Sequence, residues 1–178
     1  MNIALYKGTS GVSRAIRWIT RSDYSHAAFV FDPQAERAAA AVSAEGGLTK
    51  IRHWRDGAVI EAWKGGVQNS PSLCTLHTPG TVVDLFEPVT PMTFDQDKRL
   101  VLWLNSIIGD PYSYWNVLRF ISRRPGRDDG AWFCSEACVE GFTTAGWKLF
   151  ERTQAWEVPP GWIARSLALR WFQTITTA

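Results

Sequence analysis

The segment 26–31, HAAFVF, constrains the chain more than any other. After its opening histidine every residue is apolar. Neither face of an extended strand with this sequence tolerates water, so the segment reads as a strand buried on both sides. Such a strand needs an apolar layer above it and another below, and the rest of the chain has to supply both. Asp32-Pro33 ends the run. The chain has 178 residues. A single domain of that size, spanning 1–178, buries about 70% of its unfolded surface and needs neither disulfide nor metal to fold.

Around this strand the pattern predicts a first strand at 3–6 and a helix capped by Ser10 or Ser13 and running to about residue 20. Val12, Ile16 and Ile19 form one stripe of that helix. The Ala-rich stretch 35–47 reads as a loop or short helix. Residues 48–54 alternate, Asp56-Gly57 is a hairpin signal, and 58–63 is the next strand, closed by Gly65-Gly66. Residues 67–79 are turn-rich, and 81–86 is another strand. A helix capped by Thr93 or Asp95 reaches Ile108 and turns Leu100, Val101, Leu104, Ile107 and Ile108 to the core. A helix at 112–121, a charged loop at 123–130 and a helix from Cys134 to about 145 follow, with Gly146 as its stop. A helical turn at 163–169 and a strand at 171–175 close the chain. No repeat or long linker divides it. The order predicts an α+β fold: a small antiparallel sheet or barrel with helices packed on one side.

Composition narrows the function classes. A hydrophobic share of 46% against 20% charged residues excludes a disordered chain. The net charge of +2, from 19 basic and 17 acidic side chains, lacks the basic excess of a nucleic-acid binder. Three cysteines make no disulfide framework and point to a reducing compartment. The first residues carry no signal-peptide pattern, and no stretch is long and apolar enough to span a bilayer. A cytoplasmic protein is therefore expected, and a phage or prophage origin fits the same features. The basic stretch Arg119, Arg123, Arg124 and Arg127 suits phosphates or an anionic membrane, and equally a solvated loop.

The chemistry concentrates at 132–140, WFCSEACVE. Helical spacing starts at Cys134, which places the thiol in the first turn. Unsatisfied N–H groups and the positive end of the helix dipole stabilise a thiolate there. The N–H groups of Cys134 and Ser135 also suit an oxyanion. The competing reading makes Cys134 a small buried hydrophobe. Cys138 is one turn on and reads as core; Cys74 has no evident role. No second Cys/His pair has ligand spacing, so no metal site or cofactor is expected. Of three histidines, His26 opens the buried strand and is the best-held general base. His53 lies near a turn, and His77, in a loop, ranks lowest. Glu61 interrupts an otherwise apolar strand. A buried carboxylate there calls for a partner, and His26 on a neighbouring strand suits it.

The motifs Tyr24-Ser25-His26-Ala27-Ala28, Val59-Ile60-Glu61-Ala62, Gly109-Asp110-Pro111-Tyr112-Ser113-Tyr114 and Phe133-Cys134-Ser135-Glu136 together resemble a known series. It is the circularly permuted branch of the NlpC-type papain-like superfamily, the YaeF/YiiX-like cysteine peptidases or amidases. In that branch the histidine precedes the cysteine, as here. The resemblance implies Cys134 as nucleophile, His26 as base, Glu61 as the group steadying the imidazole, and Tyr24 as a substrate-facing or oxyanion-assisting ring. The Ala-rich stretch 35–44 departs from it as an insertion, and the Trp-rich end after Trp156 has no counterpart in it.

These readings lead to a cysteine hydrolase acting through a thioacyl-enzyme on a peptide, a peptidoglycan stem or a lipid-linked amide. Two alternatives stay open: an acyltransferase or lipid hydrolase resembling lecithin:retinol acyltransferase, and a binding module without turnover. Trp63, Trp115, Trp132 and Trp147 favour an acyl chain if they line a cleft, and are ordinary packing if they do not.

Overall fold

The computed structural model describes residues 1–113 and 130–178. Its strands are β1 (Asn2–Lys7), β2 (His26–Val30), β3 (Val59–Trp63), β4 (Gly66–Ser70), β5 (Val82–Pro88) and β6 (Leu169–Thr176). They join one antiparallel sheet in the order β4-β3-β2-β1-β5-β6. The helices are α1 (Gly11–Thr20), α2 (Pro33–Ala44), α3 (Phe94–Ile107), α4 (Cys134–Thr144) and the short α5 (Pro160–Ile163), which follows a 3-10 turn at Ala155–Glu157.

The doubly apolar run takes an inner place, with β2 between β1 and β3 and all five of its residues buried. Ala27 and Phe29 join Ile3, Leu5 and Ile60 on one face, against Ala39 of α2, Leu100 and Leu104 of α3 and Phe142 of α4. Ala28 and Val30 join Ala4, Tyr6, Val59 and Val83 in a smaller cluster on the other face, closed by Leu73 and Ile175. Helices α2, α3 and α4 thus pack on one side of the sheet, as an α+β chain of this pattern should.

Local chemistry sets the helix starts. Thr93 caps α3 by accepting from the Gln96 N–H, and the Gln96 side chain accepts in return from the Thr93 N–H. Asp32 accepts from the N–H groups of Gln34 and Ala35 at 3.0 and 2.8 Å, with Pro33 in the first turn. That start makes a 12-residue helix of the Ala-rich stretch, whose small side chains let it lie close on α3.

Several expectations are corrected. Residues 48–54 form no strand. Asn105 Oδ1 accepts the N–H groups of Thr49, Lys50 and Ile51, and Asn69 Oδ1 those of Arg52 and His53. Side-chain amides thereby replace a ladder partner for five backbone donors. Asp56-Gly57 does turn the chain, but it leads into β3, which pairs with β2 and β4. Strand β4 was not foreseen. Its first residue, Gly66, has φ 115°, and a Cβ there would collide with the carbonyl of Asp110. The stripe of α1 does not enter the core: Ser13 is the buried residue of that helix, and Val12 is 62% exposed. Tyr112 pairs with Trp132 in an extended bridge instead of opening a helix. The rest of that expected helix and its loop, with Trp115, Arg119, Arg123, Arg124 and Arg127, lie outside the described residues. Among the described residues no helix is long and apolar enough to cross a membrane.

Candidate active site

Strand alternation puts one set of ionisable groups on the face away from the helices. Tyr6 stands directly across from His26 in the β1–β2 register, so the two share that face. Val59, Glu61 and Trp63 share it in turn through the period of two. His26 Nε2 lies 2.6 Å from Glu61 Oε2, with the two residues 1% and 3% exposed. Trp63 meets the His26 ring edge-on, with centroids 4.6 Å apart.

The residue missed at the sequence level is His77. Its Nε2 lies 3.0 Å from the same Glu61 oxygen, and its ring stacks on Tyr6 with centroids 3.9 Å apart. Glu61 therefore sits between two imidazoles. Nothing in the spacing of His77, in the turn-rich stretch before β5, indicates this. A buried carboxylate with room for more than one donor is the signal that was available. The Tyr6 hydroxyl is buried without a hydrogen-bond partner among the described residues. Burial, and then the Glu61 charge, raise its pKa well above the ordinary tyrosine value.

Cys134 opens α4 immediately after Phe133, which has extended backbone. The first i to i−4 bond of the helix runs from the Ala137 N–H to the Phe133 carbonyl at 3.0 Å. The N–H groups of Cys134 and Ser135 precede that bond and belong to the positive helix end. The Ser135 hydroxyl donates to the Val158 carbonyl at 2.6 Å, which fixes the turn to the following segment. Its side chain is therefore structural, and the Ser135 backbone N–H stays at the positive end of the helix.

The electrostatics tie the three groups together. Burial by itself would lower the His26 pKa, but the nearby Cys134 charge, and then the Glu61 hydrogen bond and charge, raise it to about 9. Burial would raise Glu61, yet the hydrogen bonds from His26 and His77 hold it at about 2. The imidazole beside the Glu61 carboxylate is thus held protonated at neutral pH. Its Nε2 is committed to Glu61, and Nδ1 is buried with no hydrogen-bond partner among the described residues. A narrow apolar crevice reaches both Glu61 and Cys134 between Ile60, Leu104 and Ile107. Cys134 is 4% exposed. Cys138 is buried one turn on, its thiol pushed up by burial and then by the Cys134 and Glu61 charges, and Cys74 is exposed.

The other residues singled out by sequence lie elsewhere. The Tyr24 hydroxyl donates to Asp84 at 2.7 Å, and its ring meets Phe86 edge-on. His53 is exposed and has its N–H on Asn69. Trp132 meets Trp103 edge-on and donates to Asp110, while Trp147 packs on Phe142 and donates to the Thr90 carbonyl. Of the tryptophans considered as cleft lining that lie among the described residues, Trp63 is the one seen against the His26–Glu61 pair.

The two-sided sheet with helices on one face, and a buried polar cluster on the other, defines a YiiX-like α+β fold. The metalloprotein yiiX from Escherichia coli O157:H7, a DUF1105 protein, superposes with a TM-score of 0.65 at 15% identity, over 98% of this chain and 96% of that one. No family model matches the chain, and no curated protein matches it.

Proposed function

We propose that the chain is a cysteine hydrolase of the permuted papain-like kind, cleaving an amide-containing substrate. The observation that supports this reading is the buried 2.6 Å contact between His26 and Glu61, beside a crevice that Glu61 and Cys134 both line. The sulfur attacks the acyl carbon as thiolate, and the carbonyl electron pair moves onto oxygen. The N–H groups of Cys134 and Ser135 receive that oxyanion. Collapse breaks the C–N bond as His26 gives its proton to the departing amine, leaving a thioester on Cys134. Neutral His26 then takes a proton from water, whose oxygen attacks the thioester. The acid leaves, and the proton on His26 restores the ion pair. Glu61 holds the ring throughout. Tyr24, its hydroxyl occupied by Asp84, is assigned a substrate-flanking role through its ring.

The test compares the three thiols with a thiol-directed epoxide. Labelling of buried Cys134 ahead of exposed Cys74, lost in His26→Ala, supports the mechanism. Labelling that follows exposure alone, unchanged by His26→Ala, overturns it. Amide and lipid-ester substrate panels then separate hydrolysis of an amide from acyl transfer or lipid cleavage.

A second reading has its own observation. One ligand atom from each of His26, Glu61 and His77 lies within 4.8 Å of the others, and the structural neighbour is named a metalloprotein. Two imidazoles and a carboxylate suit a zinc-type divalent ion, which when bound would supply Lewis-acid polarisation or an activated water. These residues would hold it through the same His26 and Glu61 atoms that form the hydrogen bond, so the two readings compete. Stoichiometric zinc binding in wild type, lost in His77→Ala together with zinc protection of Cys134, favours the metal. Absence of binding leaves the thiol mechanism.

A further inference from the structure

We propose that α1 is a docking element for an anionic lipid surface. The helix is exposed where an ordinary core helix is covered. Val12 is 62% and Trp18 82% exposed, and with Ala15 between them they form an i, i+3, i+6 row on one side. Arg14 and Arg21 flank that row and are exposed. Among the described residues neither Arg14, Arg17 nor Arg21 forms an ion pair. No acidic residue precedes Asp23 in the chain, so this segment has no carboxylate of its own to neutralise them.

An apolar row with a tryptophan, flanked by unpaired arginines, suits the boundary between headgroups and acyl chains. The row enters the apolar side while the guanidinium groups meet lipid phosphates. A protein partner would satisfy the row, but a helix that carries arginines and no carboxylate favours an anionic lipid surface.

The helix is fastened at both ends. Ser13 packs on Gly8 just after β1, where a Cβ would collide with the Ser13 side chain, and the neighbouring Ser25 immediately precedes His26. At the other end Ser22 packs against Gly161 of α5, beside Trp162, which is 46% exposed. Docking through α1 would therefore bring the β1–β2 end of the sheet, where His26 lies, toward the lipid. The binding claim is independent of the proposed reaction and is measured without turnover.

The experiment is co-sedimentation of the full chain with phosphatidylcholine vesicles, with and without phosphatidylglycerol. Binding is expected with the anionic vesicles, weakened by salt. Replacing Arg14 and Arg21 together by Gln should cost roughly 30-fold in partitioning, about fivefold for each arginine near an anionic surface. Trp18→Ala should cost about tenfold or more. Because Ser13 and the N-terminal helix cap are untouched, both variants should melt with wild type, which a thermal scan checks. Equal binding to neutral and anionic vesicles overturns the proposal. So does unchanged binding by the arginine variant, or a self-association lost in Trp18→Ala with no vesicle binding at all.

Discussion

Along β2 and β3, Ala27, Phe29, Ile60 and Ala62 turn toward the helices, while His26, Ala28, Val59 and Glu61 turn to the opposite face. Successive residues of the same strands therefore meet different surroundings. On the helix side the neighbours are hydrocarbon, and burial stabilises directly. On the other side burial opposes charge, and Glu61 remains ionised because two imidazoles donate to it. One face provides rigidity, and the other holds charged groups in fixed geometry because the first does not move.

The largest effect should come from the apolar face. Phe29→Ala removes a ring buried against Phe142, and a loss of about 3–5 kcal/mol in urea unfolding is expected. A loss under 1 kcal/mol would break the contrast between the faces.

Next comes the polar face, read by rate instead of stability. His26→Ala should slow epoxide labelling of Cys134 by about a hundredfold or more. Cys138, one turn along α4, should label no differently.

Glu61→Gln sharpens the comparison through pH. The His26 pKa is raised to about 9, so the stability it contributes is fully present below its ordinary 6.5 and is lost as pH rises through 9. The Glu61 pKa is lowered to about 2, so its contribution is present above the ordinary 4.5 and is lost as pH falls toward 2. Thermal unfolding of wild type should show both declines. Glu61→Gln should remove the acid limb and shrink the alkaline one, at a cost of about 1–3 kcal/mol near neutrality. An unchanged acid limb would show that Glu61 is not held as described.

The smallest effect belongs to His77→Phe, which keeps an aromatic ring on Tyr6 and removes one donor from Glu61. About 0.5–1.5 kcal/mol of stability should be lost, with the labelling preference for Cys134 retained. Loss of that preference would make His77 as necessary as His26.

The strands β1, β2, β3 and β5 and the helices α3 and α4 were legible because their apolar periods and caps are local. Thr93 with Gln96 marks one start, and Cys134 follows the apolar Trp132-Phe133 pair at another. The strand expected at 48–54 failed because alternation does not reveal a side-chain amide such as Asn105, arriving from 50 or more residues away to take its donors. Residues 66–70 looked like turns, yet they pair along β3. His26 and Glu61 could be matched in advance, since a carboxylate in an apolar strand requires a donor. His77 could not, because its place depends on how a loop folds back over Tyr6.

The amino-acid order by itself determined that a strand open to neither face must lie inside a sheet, that a thiol begins a helix, and that an acid in an apolar strand needs a base. Only the tertiary structure decided that a second base, His77, joins His26, and what the two face. Local periodicity places a side chain on one face of one element, whereas the Cys134, His26, Glu61 and His77 cluster is made by four separate segments. Their meeting depends on packing between elements, and that packing is also what leaves Trp18 outside the core.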